Sequence, residues 1–253
     1  MYAQERQQFI LSTARARGRV EVGALADELS VTVETVRRDL TALERVGVLR
    51  RVHGGALPVA RTSLERTLET RQSEYADAKR RIGARAVMEL SDGNTVLFDA
   101  GTTTLAVVDA LPPSLRITAI TNSVEISARL AVRPKTELMM LGGRVRPTTG
   151  ATVGEWVTAA LRDIWVDVAF LGTNGFSVEH GLTTPDQAES VAKQSMVESA
   201  RRLIGVADAS KAGQVHLHKF ADTSDLALLI SDDELDADTE QDFESAGVEV
   251  VRT

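Results

Sequence analysis

The stretch from Thr32 to Ala56 constrains the fold most, because it joins a helical pattern to a basic, strand-like hairpin. Apolar residues recur along its first half at helical spacing, at Val33, Val36, Leu40 and Leu43. This spacing predicts a helix with one buried stripe. The second half carries two adjacent arginines, Arg50 and Arg51, shortly before a pair of glycines. A helix with a polar face followed by a small basic hairpin is typical of a winged helix-turn-helix DNA reader.

The polar side of this stretch supplies the candidate DNA contacts. On a helical wheel Arg38 lies opposite the apolar stripe, with Thr35 and Arg37 flanking it. We expect these three residues to face the major groove, where side chains read base edges. The hairpin is expected to reach phosphates or the adjacent minor groove. The complete predicted DNA-binding set is Thr32, Thr35, Arg37, Arg38, Arg50, Arg51, His53 and Gly54.

Two further helices are predicted before Thr32. The first runs from about residue 4 to Arg17, with its inward residues at helical spacing. The second covers about Val22 to Leu29 and packs its leucines inward. Thr32 follows a short turn and is a good N-cap for the third helix. Residues 1–57 are therefore predicted to form one winged helix-turn-helix domain.

The net charge of −7 is divided unevenly along the chain. Residues 1–57 carry nine arginines and seven acidic residues, a balance of +2, and the remainder carries 20 basic and 29 acidic residues, a balance of −9. A small positive excess supports DNA binding when it is clustered on one face. Residues 1–57 are called the DNA-binding head below. Because a single head with a net charge of +2 binds DNA weakly, we expect a homo-oligomer, either a dimer or a tetramer.

The rest of the chain has a different pattern. Residues 58–80 are polar and charged and are predicted to form a linker helix. In residues 81–253, helical stretches alternate with short apolar runs, at 95–99, 116–121, 137–142, 166–172, 202–208, 226–231 and 248–252. This alternation predicts a Rossmann-like α/β domain whose mostly parallel sheet is covered on both faces.

Composition narrows the function classes. The chain has no cysteine, which excludes disulfides and thiolate chemistry, and its four histidines lack companion ligands at zinc spacing. We therefore expect no metal and no cofactor. No apolar window reaches the length of a membrane span, and the polar N-terminus is no signal peptide. Aromatic residues make up only 4%, few for stacking single-stranded nucleic acid. A cytoplasmic protein without a membrane partner is expected.

Polar residues follow each predicted strand, at the sheet edge where open parallel sheets bind ligands. The first strand is followed by DAGTTT at 99–104, which is a candidate phosphate cradle, although such residues also cap helices without a ligand. Later strand ends add amide, glycine and cationic groups. The expected ligand is small, hydroxylated and anionic, such as a sugar phosphate. The predicted effector-binding set is Asp99, Gly101, Thr102, Thr103, Thr104, Asn122, Ser123, Gly142, Arg144, Gly172, Asn174, Gly175 and Lys211.

The motifs of both halves resemble one known family. ERQQFIL, VGALADELSV, TVRRDLTALE and GVLRRVHGGA resemble the DNA-binding domain of the DeoR family of bacterial transcriptional regulators. DAGTTT, TNS, LGGRVR, AFLGTNG, GLTTPD and ADASKAG resemble the effector domain of that family. The resemblance covers nearly the whole chain. It implies a regulator of sugar metabolism, usually a repressor, that a phosphorylated sugar releases from double-stranded operator DNA.

The second half is also similar to ribose-5-phosphate isomerase. That enzyme carries an Asp-Gly-Ala-Asp-Glu segment after the corresponding strand and its base in a Leu-Thr-Arg-Glu segment. In this chain Leu171 and Asn174 stand at the two acidic positions, and Pro185 stands at the position of the base. Leucine and proline cannot transfer a proton, so acid–base catalysis lacks its groups. The resemblance therefore implies a sensor that is not an enzyme.

Two other functions stay open from the residues alone. An active sugar-phosphate isomerase with an appended DNA-binding head predicts turnover of pentose or hexose phosphates. A nucleotide-binding regulatory module predicts that nucleotides, and no sugar phosphate, raise the melting temperature.

Overall fold

The computed structural model describes residues 3–45, 49–52, 54–58 and 68–253. The chain divides into two compact units, Met1–Leu64 and Glu65–Thr253. Each unit has its own hydrophobic core. None of the helices within the described ranges has the length and apolar character needed to cross a membrane.

The first unit has the element order of a winged helix-turn-helix domain. Its elements are α1 (Ala3–Arg17), β1 (Val20–Glu21), α2 (Val22–Leu29), α3 (Val33–Arg45), β2 (Leu49–Val52) and β3 (Gly55–Pro58). The predicted helices are confirmed. On α3 the stripe Val36, Leu40 and Leu43 is buried as expected, but Val33 is 41% exposed. Val33 is the first residue of α3, at the end of the helix that the small core does not cover.

A buried ion pair joins α1 to α3 in this unit. Arg6 Nε lies 2.6 Å from Asp39 Oδ2, and Gln7 Nε2 donates to the other carboxylate oxygen at 3.2 Å. Asp39 is only 3% exposed, although it belongs to the charged sequence RRDL that reads as a solvent face. The pair orients α3 against α1.

The wing is a small antiparallel sheet in the order β1–β3–β2. Gly54 has φ of 78° between β2 and β3, a conformation that favours glycine. The backbone of Arg50 and Arg51 lies in β2, where Arg51 pairs with Ala56. The side chains of these two arginines, and the whole of His53, lie outside the described residues.

The second unit alternates helices and strands. Its elements are α4 (Leu68–Ser73), α5 (Ala76–Ala86), β4 (Thr95–Phe98), α6 (Thr102–Ala110), β5 (Ile117–Thr121), α7 (Val124–Ala131), β6 (Thr136–Met140), β7 (Arg144–Val145), β8 (Thr152–Val153), α8 (Glu155–Leu161), β9 (Val168–Gly172), β10 (Gly175–Ser177), β11 (Gly181–Thr184), α9 (Gln187–Ser199), β12 (Leu203–Val206), β13 (His218–Ala221), β14 (Leu226–Ser231), α10 (Ala237–Ser245) and β15 (Glu249–Arg252).

The seven predicted apolar runs form one sheet, in the order β15–β14–β12–β9–β4–β5–β6. All of its strand pairs are parallel. One core lies on each face: Leu97 of β4 packs on one side, and its neighbours Val96 and Phe98 pack on the other. The predicted α/β fold with a parallel sheet covered on both faces is confirmed. Short strands outside this sheet were not predicted, namely the β7–β8 hairpin and the β10–β11–β13 sheet.

The linker helix expected over residues 58–80 falls partly on residues 59–67, which lie outside the described residues, and its described part differs from a single helix. Pro58 ends β3, and α4 and α5 replace the later part of a single helix, with a break at Glu74 and Tyr75. The helix α5 belongs to the core of the second unit through Ile82, Gly83 and Ala86. A Cβ atom on Gly83 would lie 2.4 Å from the carbonyl oxygen of Ala106, so only glycine permits this close packing of α5 on α6.

Candidate functional site

A narrow cleft lies at the carboxyl ends of β4, β9 and β12. The chain runs from β4 outward to β5 and β6 on one side, and from β9 to β12, β14 and β15 on the other. The reversal falls between β4 and β9, and ligands bind at such switch points. The cleft is lined by Arg71, Glu74, Tyr75, Lys79, Gly101, Thr102, Thr103, Gly172, Thr173, Ala207, Asp208 and Lys211.

The start of α6 forms one wall of the cleft. Gly101 is the N-cap residue, and Thr102 and Thr103 are the first two residues of the helix. First-turn N–H groups have no partner within their own helix, and the helix dipole adds partial positive charge there. Thr104 turns inward, since its hydroxyl donates to the carbonyl oxygen of Gly101 at 2.9 Å. This wall can therefore bind an anion through backbone N–H groups and two threonine hydroxyls.

Cations outnumber carboxylates around the cleft. Arg71, Lys79 and Lys211 line it together with Glu74 and Asp208, which leaves one positive charge in excess. The whole chain has a net charge of −7, so the net charge of the cleft is opposite in sign to that of the chain. An anionic group suits the cleft better than a neutral or cationic one.

Lys79 is buried, whereas Arg71 and Lys211 are half-buried. It is 6% exposed, and its ammonium donates hydrogen bonds to the carbonyl oxygens of Arg71 and, at 2.6 Å, of Glu74. Burial lowers the pKa of Lys79 to about 8, and the nearby cations Lys211 and Arg71 add to this effect while Asp208 opposes it. An anion in the cleft would favour the protonated form.

Beneath the cleft, Asp99 and Lys193 form a buried ion pair. Lys193 Nζ donates to Asp99 Oδ2 and, at 2.9 Å, to the carbonyl oxygen of Gly172. The N–H of Gly172 donates to the same carboxylate oxygen at 3.2 Å. Burial raises the pKa of Asp99, and the Lys193 ammonium opposes that rise. The pair joins the end of β4 to the end of β9, the two strands whose loops line the cleft.

A second group of buried charged side chains lies one helical turn before Lys193 on α9. Glu189 is 5% exposed and accepts hydrogen bonds from Arg146 Nη1 at 2.6 Å and from Thr149 Oγ1 at 2.5 Å. Arg146 also lies 3.3 Å from Asp186, the N-cap residue of α9. These contacts fix α9 to the loop after β7, so Arg146 has a structural role in this domain.

The structure brings five of the thirteen predicted effector residues to the cleft: Gly101, Thr102, Thr103, Gly172 and Lys211. The other eight have places elsewhere. Asp99 pairs with Lys193, and the hydroxyl of Thr104 is used within its own helix turn, where it donates to Gly101. Asn122 accepts from the N–H of Ala100 and donates to the carbonyl oxygen of Thr152, so it holds the loop after β4 to β8.

The remaining five lie elsewhere in the second unit. Ser123 caps α7, and Gly142 lies beside the ring of Trp156. Arg144 is exposed on β7. Asn174 accepts from His216 Nε2 through its carbonyl oxygen, and Gly175 packs against the backbone of Gln214. Their effector-binding roles remain predictions.

Sequence reasoning missed the contributions of α4, α5 and α9. Lys79 stands three and seven residues before Ile82 and Ala86, on the same helical face, and this spacing places it among buried residues. Lys193 likewise follows Glu189 by four residues, on the face of α9 that buries Ala192 and Met196. A charged residue at a core position of an amphipathic helix is the signal that identifies both lysines.

In the first unit, the α3 residues keep an exposed polar face. Arg37 and Arg38 are exposed, and Arg37 Nη1 lies 3.7 Å from Glu34. Thr32 caps the helix as predicted, since its hydroxyl accepts from the N–H of Thr35 at 3.2 Å. Gly54 is exposed in the wing turn. Of the predicted DNA-binding set, His53 and the side chains of Arg50 and Arg51 fall outside the described residues.

Two family models match the two units. The DeoR-like helix-turn-helix domain matches residues 6–62, and the DeoR C terminal sensor domain matches residues 74–233. The chain belongs to the DeoR family. This DeoR-family chain is therefore a transcriptional regulator that joins a DNA-binding head to a sensor domain.

Relatives of this DeoR-family regulator match along nearly its whole length. HTH-type transcriptional regulator GlpR of Haloferax volcanii is 39% identical over 249 residues, which are 98% of this chain and 97% of that protein. The putative aga operon transcriptional repressor of Escherichia coli O157:H7 is 32% identical over 249 residues, 98% of this chain and 93% of that protein. These names point to a regulator and away from the isomerase alternative.

A solved structure of ribose 5-phosphate isomerase A from Methanocaldococcus jannaschii is similar to part of the DeoR-family chain. The TM-score is 0.42 over 55% of each chain, at 17% sequence identity.

Proposed function

We propose that this protein represses genes of sugar metabolism, and that a phosphorylated sugar bound in the cleft releases it from its operator. The observation that carries the proposal is the cleft itself. A helix N-terminus with two threonines faces three cationic side chains across a space at the switch point of the sheet. The name of the aga operon repressor, a relative along nearly the whole chain, supports repression as the sign of regulation.

The phosphate group is proposed to bind between the start of α6 and the cations. Its oxygens accept hydrogen bonds from the first-turn N–H groups and from Thr102 and Thr103. Lys79 and Lys211 supply positive charge from the opposite side. The carboxylate of Asp208 is proposed to accept hydrogen bonds from sugar hydroxyls, which a free phosphate does not offer. The site thus favours a ligand with both an anionic and a hydroxylated part.

We propose that the DNA-binding domains of two or more copies of the chain bind the operator together. Thr35, Arg37 and Arg38 are placed on the major-groove face, and the wing residues Arg50, Arg51, His53 and Gly54 are placed on phosphates or the minor groove. A head with a balance of +2 releases few counterions on its own. Two or more copies in one oligomer supply the missing affinity through effective concentration. Sedimentation of the full-length protein with and without operator DNA measures the number of copies.

A ligand screen tests the sensor half of the proposal. The full-length protein is titrated with pentose and hexose phosphates, the parent sugars, and nucleotides, and the melting temperature is recorded. We expect one or a few sugar phosphates to raise it, and the parent sugars to leave it unchanged. Thr103→Val is expected to weaken binding of that ligand about tenfold through the lost hydrogen bond. Thr158→Val, at a half-buried position outside the cleft lining, serves as the matched control. Stabilisation by nucleotides alone, or conversion of the sugar phosphate at an enzymatic rate, would contradict the proposal.

A further inference from the structure

The cleft is too narrow in this structure for an organic ligand. Its free volume is about 20 Å³, which is room for roughly one water molecule. Sites for small organic ligands have volumes of about 300–1,000 Å³. A phosphorylated sugar therefore fits only if part of the lining moves away.

One part of the lining comes from outside the sheet. Arg71 belongs to α4, and Glu74 and Tyr75 form the junction between α4 and α5. The other lining residues lie on α5 or follow strands of the parallel sheet. Among the described lining residues, only those of the segment from Leu68 to Tyr75 neither lie on α5 nor lie at or after the end of a strand of the parallel sheet.

Helix α4 lies at the surface of the domain. No residue of α4 is buried. The carbonyl oxygens of Arg71, near the C-terminus of α4, and of Glu74, directly after it, accept hydrogen bonds from the buried ammonium of Lys79. Lysine at the carbonyl end of a helix is favourable because of the helix dipole. Lys79 thus holds the end of α4 over the cleft.

The junction after α4 has the properties of a hinge. Tyr75 has φ of 55°, a left-handed conformation that costs a non-glycine residue free energy. On the far side of this residue, α5 is fixed to α6 by the close approach at Gly83. A movement of α4 about Tyr75 would therefore leave α5 and Lys79 in place.

We propose that α4 with Tyr75 is a built-in competitor of the effector, which must displace α4 from the cleft and take over the ammonium of Lys79. This inference rests on the proposed function, since it assumes an anionic ligand in the cleft. The phosphate oxygens replace the carbonyl oxygens of Arg71 and Glu74 as acceptors. Of the described elements, α4 is the first of the second unit.

Competition also sets a requirement on the ligand. A ligand gains affinity only by the difference between its own contacts and those of α4. A neutral sugar cannot replace two carbonyl oxygens on a buried ammonium, whereas an oxyanion can. Lys79 is thereby a residue that selects phosphorylated over unphosphorylated sugars.

Hydrogen–deuterium exchange of the full-length protein tests this inference in two arms. The first arm compares the wild type with Lys79→Met and, as a matched control, with the exposed Lys135→Met. We expect α4 amides in Lys79→Met to exchange about tenfold faster or more, as the loss of hydrogen bonds to a charged group implies. Protection of α5 and α6 should be retained, since Ile82, Gly83 and Ala86 still pack. Unchanged protection of α4 in Lys79→Met would overturn the inference.

The second arm adds inorganic phosphate to the wild type, with chloride at equal ionic strength as the control. Slower exchange at the start of α6 together with faster exchange in α4 supports displacement. Slower exchange at the start of α6 with α4 unchanged or slower overturns the competition and leaves the proposed anion site intact. No change at the start of α6 refutes the anion site, and the inference with it.

Discussion

The ammonium of Lys193 donates a hydrogen bond to the carboxylate of Asp99, 94 residues away in the chain. Only 5% of the lysine side chain and 1% of the aspartate side chain are exposed. The ring of Phe220 lies under the same ammonium, 4.9 Å from its nitrogen. Both partners also contact Gly172, which lines the cleft. This pair therefore supports the floor of the candidate effector site without lining it.

Replacing Lys193 by Met leaves the Asp99 carboxylate buried without its counter-charge. We expect the free energy of unfolding to fall by about 3–5 kcal/mol, measured by urea unfolding followed by circular dichroism. Adding Asp99→Asn removes the unpaired charge, so the double variant should recover about 2 kcal/mol or more. Lys219→Met, which breaks the exposed pair with Asp222, is the control and should cost less than about 1 kcal/mol. If the free energy lost in the double variant equals the sum of the losses in Lys193→Met and Asp99→Asn, the two residues do not interact.

The stability of the sensor domain should depend on pH through Lys79. Its pKa in the folded protein is lowered from 10.5 to about 8, so between these values the unfolded chain binds more protons. The contribution of Lys79 to stability therefore rises as pH increases through this window, by at most about 1.4 kcal/mol per pH unit. Urea unfolding at pH 8 and pH 9.5 measures this rise as a difference between the wild type and Lys79→Met. Parallel pH dependence of the two proteins would refute the lowered pKa.

The exposed face of α3 should determine which DNA sequence is bound. Arg38→Ala is expected to lose about 1–3 kcal/mol of discrimination between operator and unrelated DNA. Arg51→Ala should weaken binding to all sequences and reduce the salt slope by about one unit. Arg17→Ala, whose side chain pairs with Glu28 on α2, is the control for removing one arginine from the head. Fluorescence anisotropy at several salt concentrations gives both quantities, and equal discrimination in all three variants would refute the assignment of α3.

Most of the fold was predictable because its strands carry a strong signal. Central parallel strands are buried on both faces and therefore appear as continuous apolar runs, as at LALLIS in β14. The hairpin β7–β8 has strands of two residues, which are too short for any periodicity. Helix α3 was predicted from its stripe, but the burial of Asp39 was not, because its partner Arg6 is 33 residues away.

The site residues that follow parallel strands were predictable from the order of the strands. The site residue Lys79, which is placed by packing between helices, was not. Loops after parallel strands meet at one edge, so Gly101, Thr103 and Lys211 were expected together. Lys79 precedes the first strand of the sheet and lies in a segment that reads as a polar linker. Its place in the cleft depends on the packing of α5 against α6, which the order of strands alone does not indicate.

The most direct test of the account is the release of operator DNA by a phosphorylated sugar. An operator is first selected from a random DNA pool with the full-length protein, and its Kd is then measured with each sugar phosphate and each parent sugar. We predict that one sugar phosphate raises the Kd for DNA about tenfold or more, that its parent sugar does not, and that Lys211→Ala binds the operator normally but no longer responds, unlike the exposed control Lys135→Ala. Sugar phosphates that bind the cleft without changing the Kd for operator DNA, or a full response in Lys211→Ala, would contradict it.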